Sequence, residues 1–515
     1  MRRFLLFLTI CWAVTLQAQQ FNVNLTSPGS IKNSISTFKR YGKKLYTHEM
    51  EYTKSQAPYL TNFKKVRYKL ELTQYDETFK ELKKLSIDKG EKDLGPLSPV
   101  VHYGATAIYV LYSRFADDNK IKMYVAKVNP DDLSVTLTKE IMEHDQNNQD
   151  FWGAIKRMEQ AHILYTASKD DKKMWIVHVA PTQILSTVID DELNVVQKTE
   201  PIPGKLVNIQ VTGTYIGNDG NKVLVCRYYS DDKNKDYDRA VFFQTANTKW
   251  VSKLINLPDG FSLGYLSVQE SRTSTKLYFS AEYFAKKHDE GNRGVLLGEI
   301  NIAGQSISSP AIHPYTDELK QRILDLDFAS RKNGEIVFLG RGIGYKITEM
   351  ENGTIVLSGD MHTSASTTNG TTFYYVGPVI HVFITPNGKA NMTLIPKKQA
   401  NDAVTEFFNY VYKDKFICVY ADIPKFQQKE LNDKQIGLVR RVVEMVPVAN
   451  VYDSDGKLLE RKMLIDSPKK MKGNVMLGGR SKLADNVFLF PVGKSKVNLM
   501  GYYTDVNEFC YLEIL

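Results

Sequence analysis

Most of the chain alternates between short apolar runs rich in Val, Ile, Tyr, Phe and Leu and clusters of Asp, Asn, Gly, Lys and Pro. Apolar runs bounded by turn residues predict β-strands joined as hairpins. A 3.6-residue period is rare, and its best example, FWGAIKRMEQA at 151–161, is short. The pattern predicts an all-β protein.

The strands recur in a fixed order. Seven hairpins share one form, an apolar strand, a polar turn and an alternating strand. They are VRYKLEL-TQYDET-FKELKKLSI, MYVAKV-NPDD-LSVTLTKEI, ILSTVI-DDE-LNVVQKTEPI, AVFFQ-TANTK-WVSKLINL, VLLGEI-NIAGQ-SISSPAI, VIHVFI-TPNGK-ANMTLIP and VPVANV-YDSDGK-LLERKMLI. One marker per turn (Asp76, Asp131, Asp190, Asn247, Ala303, Asn387, Ser454) gives successive intervals of 55, 59, 57, 56, 84 and 67 residues. A second apolar strand precedes most of these hairpins (IYVLYS, ILYTA, VLVCRYY, LYFSAEY, TIVLSG, FICVYA) and enters a longer polar loop. Two hairpins make a four-stranded unit, and units of about 50–60 residues suit a β-propeller blade. Seven blades are expected, with six or eight as the neighbouring solutions; two β-sandwich domains are the rival, which the even spacing disfavours. The Ser/Thr-rich stretch HTSASTTNGTT (362–372) reads as an exposed hairpin end and helps account for the interval of 84. The last hairpin, VNLMGYY-TDVNE-FCYLEIL, is expected to help close the ring with N-terminal strands.

The N-terminus changes the picture. Met1-Arg2-Arg3, the apolar run FLLFLTICWAVTL and Gln17-Ala18 form a signal peptide, with cleavage expected after Ala18. The apolar run is shorter than the roughly 20 residues that cross a bilayer. The mature chain, 19–515, is expected to be one propeller-like domain, with 19–60 an irregular N-terminal segment and no transmembrane segment. Periplasm is the first expected address, the outer surface or medium the second.

The net charge of +9 falls to +7 once Arg2 and Arg3 leave, and the excess is spread through the chain, mostly as Lys, with no basic block longer than short clusters such as Lys469-Lys470-Met471-Lys472. A nucleic-acid partner would need a concentrated basic stripe, so none is expected. The mature chain keeps Cys226, Cys418 and Cys510, an odd number. Cys226 and Cys418 lie in apolar strands and are expected to be buried thiols rather than a disulfide framework.

Long loops on a rigid scaffold are where binding tends to reside. The loops expected between second and third strands are RFADDNKIK, ASKDDKK, YYSDDKNKDYDR, EYFAKKHDEGNR, GDMHTSASTTNGTT and DIPKFQQKELNDKQ. They nominate Asp117, Asp118, Asp170, Asp171, Asp232, Asn234, Asp236, Asp238, His288, Asp289 and His362 as partner-binding positions. No cofactor is expected. The run Asp232–Asp238 carries the alternating oxygens that calcium takes, but Tyr237 replaces the glycine such a loop needs, so a charged tip is the preferred reading.

Other chemical signatures fail on context. Gly260-Phe261-Ser262-Leu263-Gly264 matches a nucleophile elbow, yet strand-like runs follow it where the elbow needs a helix. Gly340-Arg341-Gly342-Ile343-Gly344 has its third glycine one residue early for a dinucleotide loop. His178 and His381 sit in strands and read as structural. No catalytic residue is singled out.

The segments GTIVLSGD, TTFYYVGPVIHVFITPNGK, LIPKKQ and DKFICVYAD, with Pro396-Lys397-Lys398-Gln399 as a P-K-x-Q element, carry a resemblance. Over residues 100–515 the chain resembles a group of exported β-propeller-like proteins of Gram-negative bacteria. The resemblance implies a fold and a compartment but supplies no site. The functional expectation is a non-catalytic binding or scaffolding propeller of the cell envelope, contacting an envelope protein or glycan. The alternative is a glycan-active hydrolase or lyase using carboxylates at the propeller axis.

Overall fold

The computed structural model describes residues 23–514, leaving out internal stretches that include 31–38, 54–66, 88–98, 116–119, 146–161, 203–206, 230–237, 257–260, 286–292, 340–342, 367–371, 401–406, 441–444 and 465–473. The helix-like run at 151–161 and the signal peptide therefore lie outside the described residues. Those described form eight antiparallel sheets of four or more strands and two two-stranded ribbons.

Sheet I holds Lys39–Tyr41, Lys44–Thr53, Arg67–Tyr75 and Glu81–Ser86; sheet II holds Val100–Tyr103, Ile108–Phe115, Lys120–Val128 and Val135–Asp145. Sheet III holds His162–Ala167, Lys173–Ala180, Gln183–Asp190 and Val195–Thr199; sheet IV holds Val207–Ile216, Lys222–Tyr229, Asp238–Gln244 and Val251–Leu254. In sheet V the first strand is broken into Phe261–Leu263 and Ser267–Glu270. Lys276–Ala285 and Arg293–Asn301 follow, with Ser306–Ile307 and Ala311–Pro314 as the outer strand. Sheet VI holds Lys346–Glu349, Ile355–Ser366, Thr372–Ile384 and Ala390–Ile395; sheet VII holds Phe408–Tyr412, Lys415–Asp422, Val446–Tyr452 and Leu458–Met463.

All seven predicted hairpins are present, one as the third and fourth strands of each of these sheets. First strands of successive sheets approach one another along the series from sheet III to sheet VII. Fourth strands are exposed, as at Val251–Leu254 and Leu458–Met463. First strands therefore line the centre, and the fold is a β-propeller. Neighbouring sheets enclose apolar layers: Leu111 and Val125 meet Met174 and Ile176 between II and III, Trp175 and Val177 meet Leu224 and Phe242 between III and IV, and one continuous layer runs through V, VI and VII.

Sheet VIII ties the two ends of the chain together. Val23–Ser30 pairs antiparallel with Glu508–Ile514, which pairs with Val487–Gly493. The strand Ser481–Ala484 of this sheet lies against the first strand of sheet I. The last segment thus joins an N-terminal strand as expected, but the predicted hairpin partner is wrong. FCYLEIL pairs with VFLFPVG, while Tyr503–Thr504 pairs with Lys496–Val497. Residues 23–53, part of the stretch expected to be irregular, supply three strands.

The interval of 84 also has a different origin. Between sheets V and VI the chain inserts the helix Asp317–Asp325 and the ribbon Ala329–Lys332/Glu335–Phe338. Thr316 caps the helix by accepting the Leu319 N–H, and Leu319 and Ile323 face the core. The Ser/Thr-rich stretch adds little, because its strands continue to Ser366 and resume at Thr372.

Three outer turns share an unusual device. The Asp76 and Asp190 carboxylates accept backbone N–H groups at Lys80 and Asn194, four residues on, at 2.9 and 2.7 Å. Phe79, Leu133 and Leu193 then take left-handed φ values of 61°, 53° and 60°, where glycine is usual. All three are buried, Leu133 and Leu193 within the layers shared with the preceding sheet. Burial offsets the backbone strain that a glycine would avoid. Leu193→Ala keeps that strain and empties the layer, so it should lower the unfolding free energy by about 2–4 kcal/mol in denaturant titrations. A loss below about 1 kcal/mol would show that Leu193 is not a packing anchor.

Candidate functional site

In an up-and-down four-stranded sheet, connections 1–2 and 3–4 leave from one end and connection 2–3 from the other. The described residues sort the nominated positions by this rule. Asp117, Asp118, Asp232, Asn234, Asp236, His288 and Asp289 lie outside the described residues, and Asp238 begins the third strand of sheet IV. The calcium-like run is therefore undescribed except for its last member.

Asp170 and Asp171 belong to the other end. ILYTA is the first strand of sheet III rather than the second, so ASKDDKK is its 1–2 turn. The second and third strands are KMWIVHVA and QILSTVID. An extra apolar strand between two others of like composition hid this shift. Both carboxylates hold turns. Asp170 accepts the Ser168 hydroxyl at 2.6 Å, and Asp171 accepts the Ala105 N–H of sheet II at 2.6 Å with His102 at 3.4 Å. Asp171→Ala should cost about 0.5–1.5 kcal/mol of stability through the lost hydrogen bond to the exposed Ala105 N–H. Ligand capture by the opposite end should be unchanged at temperatures where the variant is folded.

His362 is at the long-loop end but in a strand, paired with Val376 just past a bulge after Asp360. Its imidazole is exposed, and Nε2 lies 3.0 Å from Asp360 Oδ1. Asp360 is half-buried, and its other oxygen is 4.0 Å from the ammonium of Lys397, which is only 1% exposed. Burial raises the Asp360 carboxyl, but His362, Lys397 and Lys346 together hold it below the usual range. Lys397 comes from the P-K-x-Q element, whose other polar members are stitches. Lys398 pairs with Asp327 of the insertion, and Gln399 donates to the Ala421 carbonyl of sheet VII at 2.9 Å.

Lys346 opens the first strand of sheet VI, and its ammonium stands 5.3 Å from the Phe407 ring centroid. Glu282 sets the chain leading to it. This fully buried carboxylate accepts the Ile343 N–H at 2.7 Å and the Tyr315 hydroxyl at 3.1 Å, with Arg293 at 3.7 Å. Burial pushes its carboxyl up despite the arginine. Gly359 admits this chain closely: a Cβ there would lie 2.3 Å from Ile343 Cγ2. The described end of the Gly340–Gly344 run is thus a structural crossing beside sheet V.

The break in the first strand of sheet V sets Tyr265 beside this crossing. Residues 264–266 stand opposite Ala281 and Glu282, between the pairs Leu263–Tyr283 and Ser267–Ser280. The bulge leaves the Tyr265 ring 62% exposed, next to Gly344. The Arg227 guanidinium of sheet IV lies 5.6 Å from the ring centroid, while its Nε donates to Gln210 at 2.5 Å. The Gly260–Gly264 motif is the strand Phe261–Leu263 leading into this bulge, not an elbow. Sequence reading missed Arg227, Tyr265, Lys346, Asp360 and Lys397. The exposed tyrosine after Gly264, interrupting a strand pattern, was the available signal.

Two other expectations hold. Cys226 and Cys418 are buried thiols outside any disulfide, and burial pushes the Cys226 thiol up. His178 and His381 are buried. His381 Nδ1 shares a hydrogen bond with Ser358 Oγ at 2.8 Å, and the imidazole is ringed by Phe383, Phe407, Phe416 and Tyr452. Burial pushes its pKa down to about 3. The imidazole stays neutral in the fold but protonates in the unfolded chain below about 6.5. Its contribution is complete above that pH and is lost as pH falls toward 3, on the order of 5 kcal/mol in all. His381→Leu should therefore flatten the fall of stability between pH 6.5 and 3; an unchanged slope would place the acid sensitivity elsewhere.

Among the described residues, no group of three or more His, Cys, Asp or Glu could hold a metal ion, and no helix is long and apolar enough to cross a membrane.

The class is thus a β-propeller, with Tyr265 of sheet V exposed beside Arg227 of sheet IV. No family model matches the chain, and no curated protein matches it significantly. Among solved structures it is similar to the WD40 domain of SCAP from fission yeast, with 9% identity, TM-score 0.41, and 96% of this chain and 98% of that chain covered. It is also similar to the polysaccharide lyase Uly1, with 11% identity, TM-score 0.39, and 83% and 91% covered. A third is the Dos1 propeller, with 8% identity, TM-score 0.39, and 95% and 94% covered.

Proposed function

We propose that the protein is an exported, non-catalytic binding propeller of the bacterial cell envelope. Its ligand contacts the surface formed by Arg227, Tyr265, Lys346 and His362. The observation that carries this reading is Tyr265, a large ring held out of a central strand by a bulge and backed by a guanidinium. An exposed aromatic costs solvation, and its presentation on a braced strand suits a contact residue. The signal sequence at residues 1–18 supports export, with the periplasm as the favoured address.

One observation favours a second reading, a glycan-active enzyme. Asp360 orients the exposed His362 at 3.0 Å, a pairing that can make an imidazole a general base.

The deciding experiment is capture from native envelopes with tagged residues 19–515 after mild cross-linking, read by mass spectrometry. A stoichiometric partner retained by the wild type and lost with Tyr265→Ala is the expected result. Capture that ignores Tyr265→Ala, or no capture at all, overturns the surface. Cleavage of envelope glycan that His362→Ala abolishes would establish the enzyme instead.

A further inference from the structure

We infer that Lys222 makes the seam between sheets III and IV a proton-sensitive joint, tightest when its amine is neutral and loosened when the amine takes up a proton. Lys222 opens the second strand of sheet IV and is only 1% exposed. Its side chain shares a face with Leu224 and Cys226, which pack in the layer against Trp175 and Val177 of sheet III. Among the described residues its one hydrogen-bond partner is Gln197 Oε1, on the outer strand of sheet III. An ammonium carries three N–H groups, so two are left unmatched. Gln244 stands directly opposite in the register and is 6% exposed, and its Oε1 has no partner among the described residues. The layer therefore holds a cation without giving it the bonds that water would.

No carboxylate offsets that charge. On the elements packed around it, the Lys173 ammonium bonds the Asn218 carbonyl, and the Asp190 and Asp219 carboxylates each hold N–H groups of their own turns. Lys198 and Lys249 are exposed, and burial keeps the Cys226 thiol neutral. Burial alone moves the Lys222 amine, from 10.5 down to about 8. The folded chain thus binds this proton less tightly than an opened one. The resulting penalty is fully present below pH 8 and is relieved as pH rises from 8 toward 10.5. It acts locally, because water reaches Lys222 once sheets III and IV part, and the apolar layers on either side of that pair are separate from this one. Two further polar ties cross the seam at Asn218, whose side chain accepts the Asp170 N–H and whose carbonyl accepts Lys173.

The test is hydrogen exchange of residues 19–515 at pH 7 and pH 9, read by mass spectrometry, with each rate divided by the intrinsic rate at that pH. An amine near 8 in the fold and 10.5 when opened predicts a fall of about tenfold in the opening constant of sheets III and IV between the two conditions. Peptides from the strands of sheets VI and VII are the internal control and should keep their protection. Lys222→Met removes the charge at similar side-chain length, so it should abolish the change and hold the seam at its pH 9 protection throughout. Lys222→Arg keeps the cation at both pH values and should leave the seam loose at both, which tests the same point if the methionine variant fails to fold. An unchanged seam in the wild type, an equal change in sheets VI and VII, or a change that survives in Lys222→Met or Lys222→Arg would overturn the inference. Envelope capture through Tyr265 is a separate measurement, so this joint and the binding reading stand or fall independently.

Discussion

The middle strands of sheet VII are apolar on both faces, so that sheet needs a neighbour on each side. All seven residues of Val446–Tyr452 are buried, and so are seven of the eight in Lys415–Asp422. A single antiparallel sheet with one wet face would alternate; these strands do not. The only way for a row of such sheets to satisfy every member is to close. Sheet VIII places Val23–Ser30 and Glu508–Ile514 side by side and touches sheet I through Ser481–Ala484, so the two ends of the chain meet in one sheet.

The two ends of the sheets are used differently. At the 1–2 turn end, polar groups stitch neighbour to neighbour. Asp171 reaches Ala105, Asp170 N–H reaches Asn218, and the buried Glu349 carboxylate takes the Ser271 and Tyr278 hydroxyls of sheet V. Toward the other end the second strands carry Arg227, Glu282, Asp360 and Asp422. There Glu282 is spent on fixing residues 343–345, which delivers Lys346 to the surface. Rigidity at one end thus frees the other to carry exposed charge and an exposed ring.

The buried polar residues follow the same economy. His381 is kept neutral by aromatic neighbours and a serine hydroxyl, and the two mid-strand thiols behave as small apolar side chains. None is available for chemistry, and their mid-strand positions made that legible. The resemblance element Pro396–Gln399 was legible only as a pattern. Its roles differ residue by residue, because Lys397 turns inward to Asp360 while Lys398 turns to Asp327.

The sequence by itself determined the strands, the seven outer hairpins and the propeller class. These are local matters: apolar alternation and turn residues act over a few positions, and a repeat multiplies the signal. It mis-set the order of strands in sheet III and the partner of FCYLEIL, because strands of like composition are interchangeable until packing selects among them. Only the tertiary structure decided which end Asp170 and Asp171 occupy, and that the long interval holds an inserted helix and ribbon. It alone brought Arg227, Tyr265 and Gly344 together, from positions far apart in the chain. Their proximity comes from three sheets sharing a centre, a relation that no local pattern encodes.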